Sequence, residues 1–252
     1  MNITDIELDI RNKIIMPFGT SKSFTSYFSN CELAAIYSKN NNNFRIFKLL
    51  LKCNYIETLN ETFRIIVRFT GTTASIDAVK LLISYGVNIN NKDDTNRTPL
   101  MDAMQFLYLN DRISIETINL LFEHGADVNI KSNTGKIALS YAINNSYTLE
   151  NLEIIKLLVR KGSNINNKDW KYNTPLIKCF NSRSNTLIKY KTIKLLLDNK
   201  ADIYIKNKKG EVILNLVKKN IHCNTDIYSL IFNYKNIKND HLCECDINFI
   251  YI

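Results

Sequence analysis

Near its end the chain carries His241, Cys243 and Cys245 within five positions. With His222 and Cys223 upstream, these residues hold the donors for a tetrahedral zinc site. The spacing argues the other way. A Cys-x-Cys pair is closer than the separation of two to four residues that usually lets two thiolates share one zinc. No metal and no cofactor is therefore assigned. The other cysteines, Cys31, Cys53 and Cys179, are scattered, with Cys53 and Cys179 in helical patterns. Free thiols in a reducing, intracellular compartment are the simplest reading. His124 precedes a glycine where a helix ends, a place in which the helix dipole favours a histidine. No Gly-rich phosphate loop, no His-Glu-x-x-His and no Gly-x-Ser-x-Gly is present. Asp93 and Asp94 lie in a turn and read as turn formers. No catalytic residue is expected, and the protein is not expected to be an enzyme.

The stretch NNKDWKYNTPL, residues 166–176, holds the chain's single tryptophan. Trp170 and Tyr172 stand in a polar turn, where a large aromatic is not needed for folding. Exposed aromatics of this kind often anchor protein contacts. The alternative is that Trp170 packs on a neighbouring turn or on lysine stems. Tyr172 adds a second oddity, because glycines 135 and 210 hold the matching place elsewhere. A left-handed backbone there would strain a tyrosine, so either the turn is reshaped or the strain is tolerated.

Charge is spread unevenly. Residues 1–130 carry 13 Lys/Arg against 14 Asp/Glu, and residues 131–252 carry 20 against 10, which gives the net +9 of the chain. The densest run is KNKK at 206–209, which includes Lys208 and Lys209. Such a half could attract nucleic acid or an acidic surface. The favoured reading is a solvated face shaped by codon bias, since 35 Asn and 35 Ile accompany 25 Lys. No base-stacking motif interleaves with these lysines, so nucleic acid is not the favoured partner.

The elements that would position these turns come from a repeat. The segments 78–93, 117–132, 154–169 and 192–207 align, and the position of Gly86, Gly125, Gly162 and Lys200 recurs every 39, 37 and 38 residues. A second anchor follows as Thr98-Pro99-Leu100, then Ile137-Ala138-Leu139, then Thr174-Pro175-Leu176. A Thr hydroxyl can cap a helix N-terminus, and Pro fits the first helical turn. Ile115, Ile118, Leu121 and Phe122 then repeat at helical spacing until Gly125 ends the second helix.

Thr98-Pro99-Leu100, Leu120-Leu121 and Gly125-Ala126-Asp127-Val128-Asn129 resemble the ankyrin repeat. The resemblance is clear over roughly 58–220 and weak over 31–57. The period exceeds the usual one of about 33 residues by four to six. The excess is read as loop between the two helices, at 109–116, 144–151 and 181–190. With the Asn/Ile/Lys bias, these insertions resemble ankyrin proteins of large DNA viruses, of the amoebal giant-virus type first and of poxviruses second.

The resemblance implies an all-α ankyrin-repeat solenoid of stacked helix-turn-helix units with projecting turns, in about five to six repeats. The expected organisation is an N-terminal cap or extension (1–30), a degenerate repeat (31–57), repeats at 58–90, 91–129, 130–166 and 167–204, a terminal capping repeat (205–234) and a tail (235–252). The implied function is a non-enzymatic protein-protein interaction scaffold using the concave face, with a host protein as partner if the chain is viral. The alternative is a binder of nucleic acid or an acidic surface through the basic half. The contact residues expected at the turn tips are Trp170, Lys171, Tyr172, Asp94, Thr95, Arg97, Lys208 and Lys209. The N-terminus lacks an apolar secretory segment, and no run is long enough to span a membrane. A monomer in the cytoplasm, the host's if viral, is expected.

Overall fold

Both Thr-Pro pairs start helices in the computed structural model. Thr174 caps a helix over Pro175–Asn181, and its Oγ1 accepts the Ile177 N–H at 3.4 Å. Thr98 does the same for Pro99–Gln105, accepting the Met101 N–H at 3.4 Å. Where Ile137 replaces the threonine, the helix Ala138–Asn144 begins without a side-chain cap. Its six buried residues, from Ala138 to Ile143, hold it in place instead.

The structure describes residues 14, 29–52, 59–70, 73–105, 112–145, 148–219 and 225–240. Among them are twelve helices and no strand. The first six are α1 (Asn30–Ile36), α2 (Asn41–Lys52), α3 (Leu59–Phe69), α4 (Ile76–Ser84), α5 (Pro99–Gln105) and α6 (Arg112–Glu123). The second six are α7 (Ala138–Asn144), α8 (Leu149–Arg160), α9 (Pro175–Asn181), α10 (Thr186–Asp198), α11 (Ile213–Lys219) and α12 (Thr225–Asp240). The last helix crosses position 234, where a tail was expected to begin.

The chain divides into two compact units at Asn133 and Thr134. In the first, α1 packs on α2, α3 on α4 and α5 on α6, while α1, α3 and α5 lie side by side. In the second, α7 packs on α8, α9 on α10 and α11 on α12, with α7, α9 and α11 adjacent and α8, α10 and α12 adjacent. Each unit is therefore a stack of helix pairs, and each pair buries its apolar stripe against the next. Phe47, Phe63, Ile66, Leu82, Leu100, Met104, Ile118 and Leu121 form the first core, and Leu139, Ile155, Leu158, Ile193 and Leu196 belong to the second. The thiols of Cys31 and Cys179 are buried here, and burial pushes both up to about 12. They are structural residues in their neutral form. Cys53, Cys223, Cys243, Cys245, His222 and His241 lie outside the described residues, as do 1–13 and 15–28 of the expected cap (1–30) and 241–252 of the expected tail (235–252).

Part of each inserted stretch is helical, contrary to the sequence reading, while 182–185 stay as loop. Residues 112–116, 149–151 and 186–190 form the N-terminal ends of the second helices α6, α8 and α10. α8 and α10 are 12 and 13 residues long, whereas α4 has 9. New caps explain the start points. Thr148 Oγ1 accepts the Asn151 N–H (3.2 Å), and Asn185 Oδ1 accepts the Ile188 N–H (2.9 Å). Each satisfies an otherwise unpaired donor at the new helix end.

The second helices end in one recurring motif. The Ala126 N–H donates to Leu121 O and the Gly125 N–H to Phe122 O, and Ser163 with Gly162 repeats this on Leu158 and Val159. The turn residue is left-handed, at φ 85° in Gly125 and Gly162. α10 ends the same way, yet the left-handed residue is Lys200 at φ 66°. A left-handed side-chain-bearing residue costs about 1–2 kcal/mol, and glycine's greater unfolded freedom returns about half of that. Lys200→Gly should therefore raise stability by about 0.5–1 kcal/mol in urea denaturation. An unchanged midpoint would mean that the Lys200 side chain makes up the difference.

Candidate interaction surface

Three of the projecting turns are built around one polar side chain each. Asp169 Oδ1 accepts the N–H groups of Lys171 and Asn173, both at 2.9 Å. Asp93 Oδ1 accepts those of Thr95 and Arg97, at 2.9 and 2.7 Å. Asn207 Oδ1 accepts those of Lys209 and Glu211, at 2.9 and 3.0 Å. These are Asx-type turns, in which a short oxygen replaces missing backbone partners. Neighbouring tips are then linked. The Trp170 N–H donates to Thr134 O at 3.0 Å, and the Lys208 N–H to Lys171 O at 2.9 Å. In the first unit the Asn133 N–H donates to Thr95 O at 2.9 Å. Gly135 is required at its tip, because its φ is +67° and an added Cβ would lie 3.2 Å from Lys168 O.

This frame fixes Trp170 and Tyr172 with their rings in water, 54% and 50% exposed. The turn is not reshaped for Tyr172. It keeps the left-handed backbone of its glycine counterparts, at φ 57°. Lys171 Nζ lies 4.8 Å from the Trp170 ring centre. Lys208 Nζ lies 5.6 Å from the centres of both Trp170 and Tyr172. Ammonium groups over ring faces are attracted by the ring quadrupole. Both sequence alternatives for Trp170 thus have a counterpart: the ring touches lysines of its own and the adjacent turn, and half of it faces solvent. Lys209 is exposed at the tip of the next turn.

The other expected contact residues fall in the first unit. Asp94 and Thr95 are exposed at their tip, and the Thr95 hydroxyl donates to Asp93 Oδ1 at 2.7 Å. Arg97 is engaged otherwise, with its guanidinium on Asp102. The sequence reading missed that cluster. Asp102 is fully buried in α5 and also receives Arg64 and Arg68, each at 3.1 Å. Arg64 reaches Asp93 Oδ2 as well, at 2.7 Å. A hollow of about 620 Å³ lies beside it, lined by Arg64, Arg68, Lys92, Asp93 and Asp94 among others. Only an Asp inside an otherwise apolar short helix could have signalled the cluster in advance.

Burial would raise the Asp93 carboxyl, but the Arg97 and Thr95 hydrogen bonds and the Arg64 charge outweigh it, and the net shift is downward. A carboxylate lowered on folding adds stability above its unfolded value of about 3.9 and loses it as pH falls through the folded value. Stability should therefore drop as the pH falls below about 5 and through the folded value. Asp93→Asn, which keeps an acceptor as Asn207 does, should show a smaller acid drop. An identical acid profile would remove Asp93 from the account.

Among the described residues no group of His, Cys, Asp and Glu is placed to hold a metal ion. No described helix is long and apolar enough to cross a membrane. A family model for ankyrin repeats, in three copies, matches residues 32–132 and 109–207. The chain belongs to the ankyrin repeat family. The comparison with curated proteins gave no match. The expected fold class stands: this ankyrin chain is all-α among its described residues, with stacked helix pairs in each unit. Ankyrin repeat proteins commonly mediate protein-protein interaction and are generally non-enzymatic scaffolds, which makes a protein the expected kind of partner.

Proposed function

We propose that this ankyrin chain is a non-catalytic binding module that holds one protein partner on its turn tips and first helices within 91–210. Trp170 and Tyr172 are its anchors. The observation that carries this reading is the pair of exposed rings held on a hydrogen-bonded turn, one of them at a backbone angle that favours glycine. A tyrosine kept in such a place needs a reason outside the fold. A rigid aromatic loses little freedom on binding, so a partner gains most from contacts of this kind. Asp94 and Thr95, exposed on a tip of the first unit, and Arg97, whose guanidinium is on Asp102, would be contacts of that unit by itself. In the finer reading the chain is virus-encoded, acts as a monomer in host cytoplasm and binds a host protein. That reading is supported by the 35 Asn and 35 Ile and by the repeat period of 37 to 39 residues.

The double variant Trp170→Ala/Tyr172→Ala should keep the wild-type melting temperature within a few degrees. It should lose at least tenfold in affinity for the protein that wild type captures. If the variant recovers the same protein with equal affinity, the anchors are elsewhere.

A further inference from the structure

Among the described residues, the lysines around the two anchors form no ion pair within 4 Å of a carboxylate. Lys168, Lys171, Lys206, Lys208 and Lys209 are all exposed on the two linked turns. The nearby acids are committed elsewhere. Asp169 is buried and holds the Lys171 and Asn173 N–H groups and, at 3.4 Å, Lys178. Asp202 Oδ1 accepts the Tyr204 N–H at 2.8 Å. Glu211 pairs with Lys219 at 2.9 Å and accepts from Asn207. Five exposed lysines against these three acids leave the tips with excess positive charge around two exposed rings.

We propose that this patch docks an acidic segment of a partner protein, in which carboxylates flank an apolar or aromatic side chain. The inference rests on the reading of Trp170 and Tyr172 as anchors. Lys208 sits at equal distance from both rings, so a carboxylate bound to it is placed over the gap between them. Lys171 supplies a second ammonium on the Trp170 ring. A carboxylate reaching these groups meets charge already gathered by the ring quadrupoles, and the apolar residue beside it covers the ring edges. Charge complementarity of this kind speeds encounter and fixes register. A single-stranded nucleic acid is the less suited occupant. Its bases need open ring faces for stacking, and ammonium groups lie on those faces here.

The test uses the full-length chain and fluorescent peptides of fixed length. One carries Glu and Asp around a central Phe, one replaces Phe by Ser, and one replaces the acids by Lys. A twelve-residue oligothymidine is the fourth probe. The acidic Phe peptide should bind wild type at least tenfold more tightly than the other two peptides. Trp170→Ala, which retains every lysine, should weaken it tenfold or more, and so should Lys171→Glu/Lys208→Glu. The charge-reversed protein should in turn prefer the Lys peptide. No binding of the acidic peptide, or equal binding to Trp170→Ala, overturns the acidic-segment proposal. Tighter binding of the oligothymidine at physiological salt, with a steep salt slope, would replace it with nucleic acid. In the first case a captured protein still lost on Trp170→Ala/Tyr172→Ala would leave the anchors standing. The two failures are therefore distinguishable.

Discussion

Replacing Asp102 by alanine should destabilise the first unit by about 3–5 kcal/mol, the usual effect of removing one side of a buried ion cluster. Asp102 is fully buried, and three guanidiniums converge on its two oxygens: Arg97 on Oδ1, with Arg64 and Arg68 on Oδ2. Without it, Arg68 loses its ion partner, and Arg64 keeps only Asp93. The buried Nε atoms of Arg64 and Arg68 already have no hydrogen-bond partner, so the cluster has no spare acceptor to take over. Asp102→Asn should recover little, because an amide offers one acceptor and brings two donors toward three cations. Hydrogen exchange read on peptides of α3 and α5 separates this loss from any change in the second unit. Protection that survives in Asp102→Ala would mean that the arginines turn outward to water.

How far the chain could be read in advance depended on distance along the sequence. Thr98-Pro99 and Thr174-Pro175 are local signals, and each works within its own turn of helix. Gly86, Gly125 and Gly162 mark left-handed caps by the same local logic, and even Lys200 betrayed its place by recurring at the right spacing. Thr148 and Asn185 were equally local, yet were read as loop. The apolar stripe of the second helices is densest near their C-terminal halves, so their polar first turns resembled linkers. The Arg64–Asp102 pair spans 38 residues. Its partners meet only because one helix pair stacks on the next, and nothing in either segment alone announces that meeting. The position of Trp170 in a turn was legible. Its two lysine neighbours were not, because Lys208 belongs to the following repeat.

One position links the two buried charge systems. Four residues after the capping Thr98 stands Asp102, and four after Thr174 stands Lys178. Tyr141 holds the matching place in the repeat between them. Each is satisfied from its own turn. Arg97 reaches Asp102, Asp169 reaches Lys178, and the Lys136 ammonium lies 5.5 Å from the Tyr141 ring centre. The residue is anionic, neutral or cationic by repeat, but a contact between turn and first helix is present in all three. In the second unit the Asp169–Lys178 pair ties the turn that carries the two rings to α9 beneath it.

Asp169→Ala tests that coupling directly, and should reduce stability by about 2–4 kcal/mol, since charge-assisted hydrogen bonds contribute about 1.5–3 kcal/mol each. Two N–H groups lose their acceptor, and Lys178, with its side chain 11% exposed, loses its counter-charge. Burial and the neighbouring Lys136 already lower Lys178 from the ordinary lysine value, with Asp169 opposing them. Removing Asp169 lowers it further. A lysine lowered on folding binds fewer protons folded than unfolded, so stability rises with pH through the folded value toward 10.5. The deficit of Asp169→Ala should thus shrink as the solution is made alkaline, whereas a deficit due to the lost turn alone would not move. Asp169→Asn keeps the Oδ1 acceptor, as Asn207 does naturally, but also removes the Lys178 counter-charge, so it should lose about 1–2 kcal/mol at neutral pH, a deficit that likewise shrinks in alkali. The same pair of variants reports on the tip. If the turn hub sets the rings in place, Asp169→Ala weakens binding at Trp170 and Asp169→Asn spares it. Equal binding by both variants would show that the link from Trp170 N–H to Thr134 O holds the tryptophan without the hub.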